Sequence, residues 1–163
     1  MDAKGFQVVC RGLADTEAVA ALVAGLARRG DAILLDGKLA AGKTHFVKAF
    51  VRALGSTDAV TSPTYAIAHF YDTGIGRVLH IDAYRLSGPA EFRDLGFDGY
   101  FAEVVTVIEW GRIVAEEFAD YLAIDLDFAD EADTVRTLTF ACAGERWAPA
   151  MTTLRARIAE RPA

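Results

Sequence analysis

Runs of apolar residues, alternating in some segments and continuous in others, predict strands interspersed with helices. The segment Phe6–Cys10 places Phe6, Val8 and Cys10 on one face, as in a strand with one buried side. Residues 32–35 are continuously apolar and residues 104–108 are apolar except for Thr106, which is typical of strands covered on both faces. Further strands are predicted at 65–71, 77–82, 122–128 and 134–141, with a hairpin-like break at 72–76.

Helical segments lie between the predicted strands. Asp15 or Thr16 is suited to cap a helix that runs to Arg29 and stops at Gly30. Other helices are predicted at 43–54, where Gly55 follows, and at 89–95, 111–118 and 149–160. Helices that separate strands, some of them apolar on both faces, predict an α/β sandwich of three layers with a mixed parallel and antiparallel central sheet.

Composition limits the domain count and the class of protein. The 163 residues are 53% hydrophobic and 25% charged, which suits one globular domain over residues 1–163. The net charge of −6 argues against binding of a nucleic-acid backbone by this chain alone. The two cysteines form no CxxC pair, and no uncharged apolar run approaches the roughly 18 residues of a membrane span. We therefore expect a cytoplasmic protein without membrane contact.

Residues 37–44 fit the phosphate-loop pattern G-x-x-x-x-G-K-[ST] between an apolar strand and an amphipathic helix. Glycines let backbone N–H groups converge on phosphate oxygens, and the helix N-terminus adds its positive dipole end. Lys43 is then expected on the phosphates and the Thr44 hydroxyl on Mg²⁺. The candidate nucleotide-binding residues are Gly37, Lys38, Leu39, Ala40, Ala41, Gly42, Lys43, Thr44 and His45.

A P-loop enzyme needs a second acidic group for Mg²⁺, usually at the end of an apolar strand. Asp82 and Glu109 both end such runs, and the pattern alone does not choose between them. The sequence contains no asparagine, so the Asn-Lys-x-Asp motif that selects guanine is absent and ATP is the expected nucleotide. Residues 61–65 suit either a turn before a strand or a switch loop whose hydroxyls approach the γ-phosphate.

Together these segments resemble the TsaE family, the ATPase of bacterial tRNA threonylcarbamoyladenosine synthesis. The resemblance covers about residues 6–140 and rests on four blocks in order, at 35–44, 60–65, 80–86 and 107–110. It implies a P-loop NTPase fold, with Glu109 as the acidic metal-site residue and Asp82 near the γ-phosphate, where it orients or activates the attacking water. Thr64 and its neighbours then form the nucleotide-sensing switch, and Trp110 lies close to the site.

The same resemblance implies an accessory ATPase that docks on the TsaD–TsaB complex and meets tRNA only through it. The rival hypotheses are a small-molecule kinase on a P-loop scaffold and a nucleotide-gated binding module without hydrolysis. The adenine-binding candidates are residues 13–17 and Trp110. Arg85 suits either the site wall or a structural ion pair, and residues 142–163 have no assigned role.

The phosphate loop departs from the usual family pattern, G-[DE]-L-G-A-G-K-T, at two positions. Lys38 replaces an acid and Ala40 replaces a glycine. The added Cβ at Ala40 predicts weaker or slower nucleotide binding if that backbone has a positive φ or approaches a phosphate closely.

Overall fold

Seven strands form one sheet in the computed structural model, which describes residues 5–38, 40–60, 67–129 and 134–161. Their bounds are β1 Phe6–Cys10, β2 Ala32–Gly37, β3 Ala68–Thr73, β4 Gly76–Asp82, β5 Val105–Glu109, β6 Tyr121–Phe128 and β7 Arg136–Ala143. The strand order across the sheet is β1-β7-β6-β2-β5-β4-β3. The most continuously apolar strands, β2 and β5, are neighbours near the middle, where both faces are covered.

The centre of the sheet is parallel and its flanks are antiparallel. β2 pairs in parallel with both β5 and β6, and β4 pairs in parallel with β5. The β3–β4 hairpin closes one side, and β7 joins β6 to β1 on the other, all in antiparallel pairs. Because β2, β4 and β5 run the same way, their carboxyl ends meet at one edge, where ligands bind in open α/β sheets.

Helices cover the sheet on both faces. Helices α1 (Leu13–Ala24), α2 (Lys43–Ala53) and α4 (Trp147–Glu160) contribute to a large apolar core on one face. The short helix α3 (Pro89–Asp94) and a 3-10 helix at Gly111–Glu117 build a second core on the other face, beside a 3-10 turn at Asp98–Tyr100. This arrangement confirms the predicted three-layer α/β sandwich with a mixed sheet. Among the helices of the described residues, none has both the length and the apolar character needed to cross a bilayer.

The structure corrects the predicted bounds of α1. The helix begins at Leu13, ahead of the predicted caps, because Gly12 takes the capping position and its carbonyl accepts from the Thr16 N–H. Asp15 lies inside the first turn, where its carboxylate accepts from the Arg11 N–H at 2.9 Å. At the other end the helix stops at Ala24, and turns fill the segment up to Gly30, which has a φ of 93°.

Smaller differences concern the later elements. The predicted helix at 111–118 is a 3-10 helix, and the C-terminal helix begins at Trp147, two residues before the predicted start. The strand predicted at 65–71 is observed from Ala68 to Thr73, and residues 65 and 66 lie outside the described part of the chain. Such shifts of a few residues are usual at element ends, where local pattern competes with tertiary packing.

Candidate functional site

The phosphate loop connects the end of β2 to the start of α2. Gly37 has a φ of 140°, and a Cβ there would lie 2.1 Å from the carbonyl oxygen of Leu126 on β6, so a side chain does not fit. Gly42 has a φ of 106° and caps α2. The first N–H groups of a helix have no partner inside it, so the loop ends in a set of donors suited to phosphate oxygens. Leu39 lies outside the described residues.

Lys43 is turned back onto this loop. Its Nζ donates to the carbonyl oxygens of Gly37 at 2.6 Å and Lys38 at 3.0 Å, and it lies 4.0 Å from the centre of the Trp110 ring. Burial lowers the pKa of Lys43, while the carboxylates of Glu109, Asp36 and Asp82 act in the opposite direction. In the structure, the ammonium group of Lys43 is therefore held by hydrogen bonds to the loop carbonyls and by a cation–π contact with Trp110.

Thr44 and Glu109 meet at the carboxyl edge of the sheet. The Thr44 hydroxyl donates to both carboxylate oxygens of Glu109, at 3.0 Å from Oε1 and 3.1 Å from Oε2. Glu109 is buried at the end of β5, and its Oε2 also accepts from Nε2 of His80 at 2.6 Å. Sixty-five residues separate the two side chains along the chain, and parallel pairing of β2 with β5 brings them together.

Asp82 ends β4 directly beside Glu109. The two residues are register partners in the parallel β4–β5 pair, and the Tyr84 N–H donates to Asp82 Oδ1 at 2.9 Å. Burial raises the pKa of Asp82, and the neighbouring Glu109 carboxylate acts in the same direction. A carboxyl group with a raised pKa is a better proton acceptor than an ordinary aspartate.

An open cleft of about 1040 Å³ lies beside the loop, with Gly37, Tyr84, Trp110 and Arg112 among its lining residues. The Trp110 and Tyr84 rings are 5.1 Å apart, and Tyr84 is 55% exposed. Trp110 has a φ of 60°, and its N–H donates to the Leu35 carbonyl, which fixes the chain as it leaves β5. The cleft thus offers an aromatic wall next to the phosphate loop.

The oxygen donors at this edge fit a magnesium ion. Mg²⁺ is usually bound through one or two protein oxygens together with phosphates and water. The Thr44 hydroxyl and the Glu109 carboxylate supply two such oxygens, in contact with each other at the mouth of the phosphate loop. The sequence places His80 two residues before Asp82 on one strand face, which suits a metal pair but favours a structural hydrogen bond, and the structure shows such a bond from His80 to Glu109 at 2.6 Å.

The structure brings together most of the predicted site residues. Lys43, Thr44, Asp82, Glu109 and Trp110 converge at the strand edge, although they come from three separate segments. His45 points to the neighbouring helix α1, where its Nε2 lies 3.3 Å from Glu17 Oε1. Thr64 and the rest of the predicted switch, residues 61–65, lie outside the described part of the chain. Arg85 is exposed and makes no ion pair with any described side chain.

Sequence reasoning missed three contributions to this edge. Asp36, at the end of β2, accepts from the Arg112 N–H, and burial raises the pKa of Asp36. The Arg112 guanidinium binds Asp125 at 2.7 Å and forms part of the cleft wall. The third is the partner of His80, since the sequence predicts a structural hydrogen bond for this residue and the structure shows that Glu109 accepts it.

Comparison with known sequences decides the family. A family model described as "Threonylcarbamoyl adenosine biosynthesis protein TsaE" matches residues 10–138. The chain belongs to the TsaE family. This confirms the resemblance drawn from the four sequence blocks.

Curated relatives and a solved structure agree with the TsaE assignment. A protein of Streptomyces coelicolor named "tRNA threonylcarbamoyladenosine biosynthesis protein TsaE" is 44% identical over 134 residues, which cover 78% of this chain and 90% of that protein. A Bacillus subtilis protein of the same name is 37% identical over 134 residues, which cover 82% of this chain and 83% of that protein. The crystal structure of Bacillus subtilis YdiB superposes on this chain with a TM-score of 0.76 at 30% sequence identity. The superposition covers 98% of this chain and 96% of the YdiB chain.

Ala40 is the departure from the TsaE loop pattern that the structure makes visible. Its φ is 65°, so it has the left-handed conformation that a glycine adopts without strain. Ala40 and Trp110 are the two non-glycine residues with a positive φ in the described part of the chain. The sequence predicts weaker nucleotide binding if this position has a positive φ, and Ala40 meets that condition.

Proposed function

We propose that this protein is a magnesium-dependent ATPase that acts in the biosynthesis of threonylcarbamoyladenosine in tRNA. The observation that carries the proposal is the contact of the Thr44 hydroxyl with the buried Glu109 carboxylate beside a phosphate loop. Membership of the TsaE family, and the names of the relatives, support the biosynthetic role. Magnesium, when bound, neutralises charge on the phosphates of ATP.

The residues of this edge have distinct tasks in binding. The loop N–H groups and the N-terminus of α2 bind phosphate oxygens. Lys43 leaves the carbonyls of Gly37 and Lys38 and binds the phosphates with its ammonium group. Thr44 and Glu109 hold the magnesium ion, and Trp110 covers the loop from the side of the cleft.

Hydrolysis requires a water molecule aligned with the terminal phosphate. Asp82 orients this water through its carboxylate and accepts a proton from it as the new P–O bond forms. The bond between the γ-phosphorus and the bridging oxygen breaks, and ADP and inorganic phosphate leave. The raised pKa of Asp82 supports this role, because it brings the proton affinity of the carboxylate closer to that needed at neutral pH.

We further propose that the protein works as an accessory subunit on a TsaD–TsaB pair, where partner contacts complete the site. The net charge of −6 supports a division of labour in which the partners hold the tRNA. Turnover by the isolated protein is then slow, and it rises in the complex.

The test is Mg·ATP turnover with and without a purified cognate TsaD–TsaB pair, for wild type and Glu109→Ala. Glu103→Ala is the matched control, because Glu103 is an exposed carboxylate six residues before Glu109. We expect turnover to rise with the partners, to fall about 100-fold or more in Glu109→Ala, and to stay unchanged in the control.

The alternatives give different results in the same assay. Turnover that the partners leave unchanged and that one hydroxylated metabolite raises would indicate a small-molecule kinase instead. Nucleotide binding without turnover under any condition would replace it with a nucleotide-gated binding module. Equal turnover in wild type and Glu109→Ala would overturn the metal assignment.

A further inference from the structure

A fully buried histidine lies behind the candidate metal site. His80 is on β4, and its side chain is 0% exposed, among the apolar residues of the main core. A buried polar ring is costly unless both nitrogens have partners. Nε2 lies 2.6 Å from Glu109 Oε2, and Nδ1 lies 3.4 Å from the hydroxyl of Tyr71, which is itself 3% exposed.

The direction of these hydrogen bonds follows from the chemistry of Glu109. An ionised carboxylate only accepts, so Nε2 of His80 carries the hydrogen and donates it. In a neutral imidazole Nδ1 is then an acceptor, which suits the hydroxyl of Tyr71 as its donor. A chain of hydrogen bonds therefore runs from β3 through β4 to the end of β5.

Glu109 is held from two sides by donors of different kinds. Thr44 belongs to the nucleotide-binding element, and its oxygen is one of the two proposed metal ligands. His80 belongs to a sheet strand and is fully buried, so it contacts Oε2 of Glu109 from within the fold. Carboxylate ligands that are fixed in this way by an outer hydrogen bond bind metals more tightly than free ones.

We propose that His80 is a positioning residue, which fixes the Glu109 carboxylate in the orientation that accepts the divalent cation. The inference rests on the proposed function, because it needs Glu109 to be a metal ligand. It adds that the orientation of this ligand comes from the N–H group at the Nε2 position of residue 80.

Two polar substitutions of His80 distinguish a positioning role of this residue from a role in which it only fills space. In His80→Gln the side-chain NH₂ group lies as far along the side chain as Nε2, so it can still donate to Glu109. In His80→Asn the NH₂ group lies near the position of Nδ1 and does not reach Glu109. Thr106→Val is the control, because Thr106 is a buried residue on β5 whose hydroxyl has no hydrogen-bond partner among the described residues.

The measurement is the Kd of Mn²⁺ for the protein saturated with a non-hydrolysable ATP analogue, from the electron paramagnetic resonance of free Mn²⁺. We expect Mn²⁺ affinity to fall about 10-fold or more in His80→Asn and to be largely retained in His80→Gln. Thr106→Val should match wild type. The affinity for the analogue in EDTA should be equal in all four proteins, because His80 has no place in the phosphate loop. Should His80→Asn not fold, His80→Met, which has no N–H donor, takes its place with the same expectation.

Each result separates the inference from the function on which it rests. Equal Mn²⁺ affinity in His80→Asn and wild type would overturn the inference and leave the ATPase proposal intact. Equal weakening in His80→Gln and His80→Asn would also overturn it, since the donor would then not matter. A wild-type complex that binds no Mn²⁺ would overturn the proposed metal site, and the role of His80 with it.

Discussion

At the scale of single residues, Ala40 carries a conformational cost inside the phosphate loop. Its φ of 65° is in the left-handed region, where a Cβ approaches the carbonyl oxygen of the following peptide. This conformation lowers the stability of the fold, whereas the methyl group itself is what would meet a phosphate.

Ala40→Gly should stabilise the folded protein by up to about 1 kcal/mol, because relief of a strain of about 1–2 kcal/mol exceeds the entropy that glycine adds to the unfolded chain. Urea unfolding measures this change. We also expect a several-fold tighter Kd for ATP, measured by calorimetry, because the loop N–H groups can then approach the phosphates without the methyl group.

Ala41→Gly is the control for this prediction. Ala41 is the next residue, it is 1% exposed, and its φ is not positive. Glycine there removes a buried methyl group and relieves no strain, so it should destabilise the protein. ATP affinity that is unchanged or lower in Ala40→Gly would count against crowding of the loop by its Cβ.

At the scale of secondary-structure elements, Asp36 joins three parts of the cleft wall. It is the next-to-last residue of β2, and its carboxylate accepts from the Arg112 N–H in the first turn of the 3-10 helix at Gly111–Glu117. The Arg112 side chain in turn binds Asp125 on β6. Burial raises the pKa of Asp36, so the folded state favours the protonated carboxyl group.

This shift gives stability a defined pH dependence. The contribution of Asp36 is fully present below the unfolded pKa of about 4 and is lost as the pH rises through the raised folded pKa. Asp36→Asn cannot ionise and keeps an oxygen for the Arg112 N–H. Its free energy of unfolding relative to wild type should therefore increase from acid to neutral pH, as measured by urea unfolding at several pH values. Asp98→Asn, at an exposed position, serves as the control, and a difference for Asp36→Asn that stays constant with pH would refute the prediction.

The elements also show what the sequence could and could not predict. The phosphate loop is contiguous, so its place between β2 and α2 followed from local pattern, and so did the strand ends that carry Asp82 and Glu109. The inward turn of Lys43 onto the Gly37 carbonyl is a choice among rotamers that no periodicity encodes. The contact of His80 with Glu109 joins residues 29 apart through strand register, which a single sequence leaves open.

At the scale of the whole molecule, the C-terminal segment closes the main core. Trp147, Met151 and Leu154 of α4 are buried against the sheet and α1. At the start of this helix the Arg146 guanidinium binds both oxygens of the buried Asp31, at 2.8 and 2.9 Å, and the Leu26 carbonyl at 2.6 Å. Residues 142–163, which had no role assigned from the sequence, thus include an anchor for the start of β2.

Arg146→Ala should cost about 3 kcal/mol of unfolding free energy, because it leaves the carboxylate of Asp31 buried without its charged partner. Thermal and urea unfolding measure the loss. Arg157→Ala, which removes an exposed arginine from the same helix, should change stability by less than about 0.5 kcal/mol. A similar small effect for both variants would mean that the Asp31 pair contributes little to the fold.

The position of Lys43 has a consequence for nucleotide affinity under the proposed function. The ammonium group is held by two loop carbonyls and the Trp110 ring, so these groups compete with a phosphate for the same cation. If the nucleotide needs Lys43 as proposed, it meets a competent loop only in the fraction of molecules whose Lys43 is released, and its apparent affinity is reduced by that fraction. Any partner that draws Lys43 away from the carbonyls would therefore tighten nucleotide binding without touching the nucleotide.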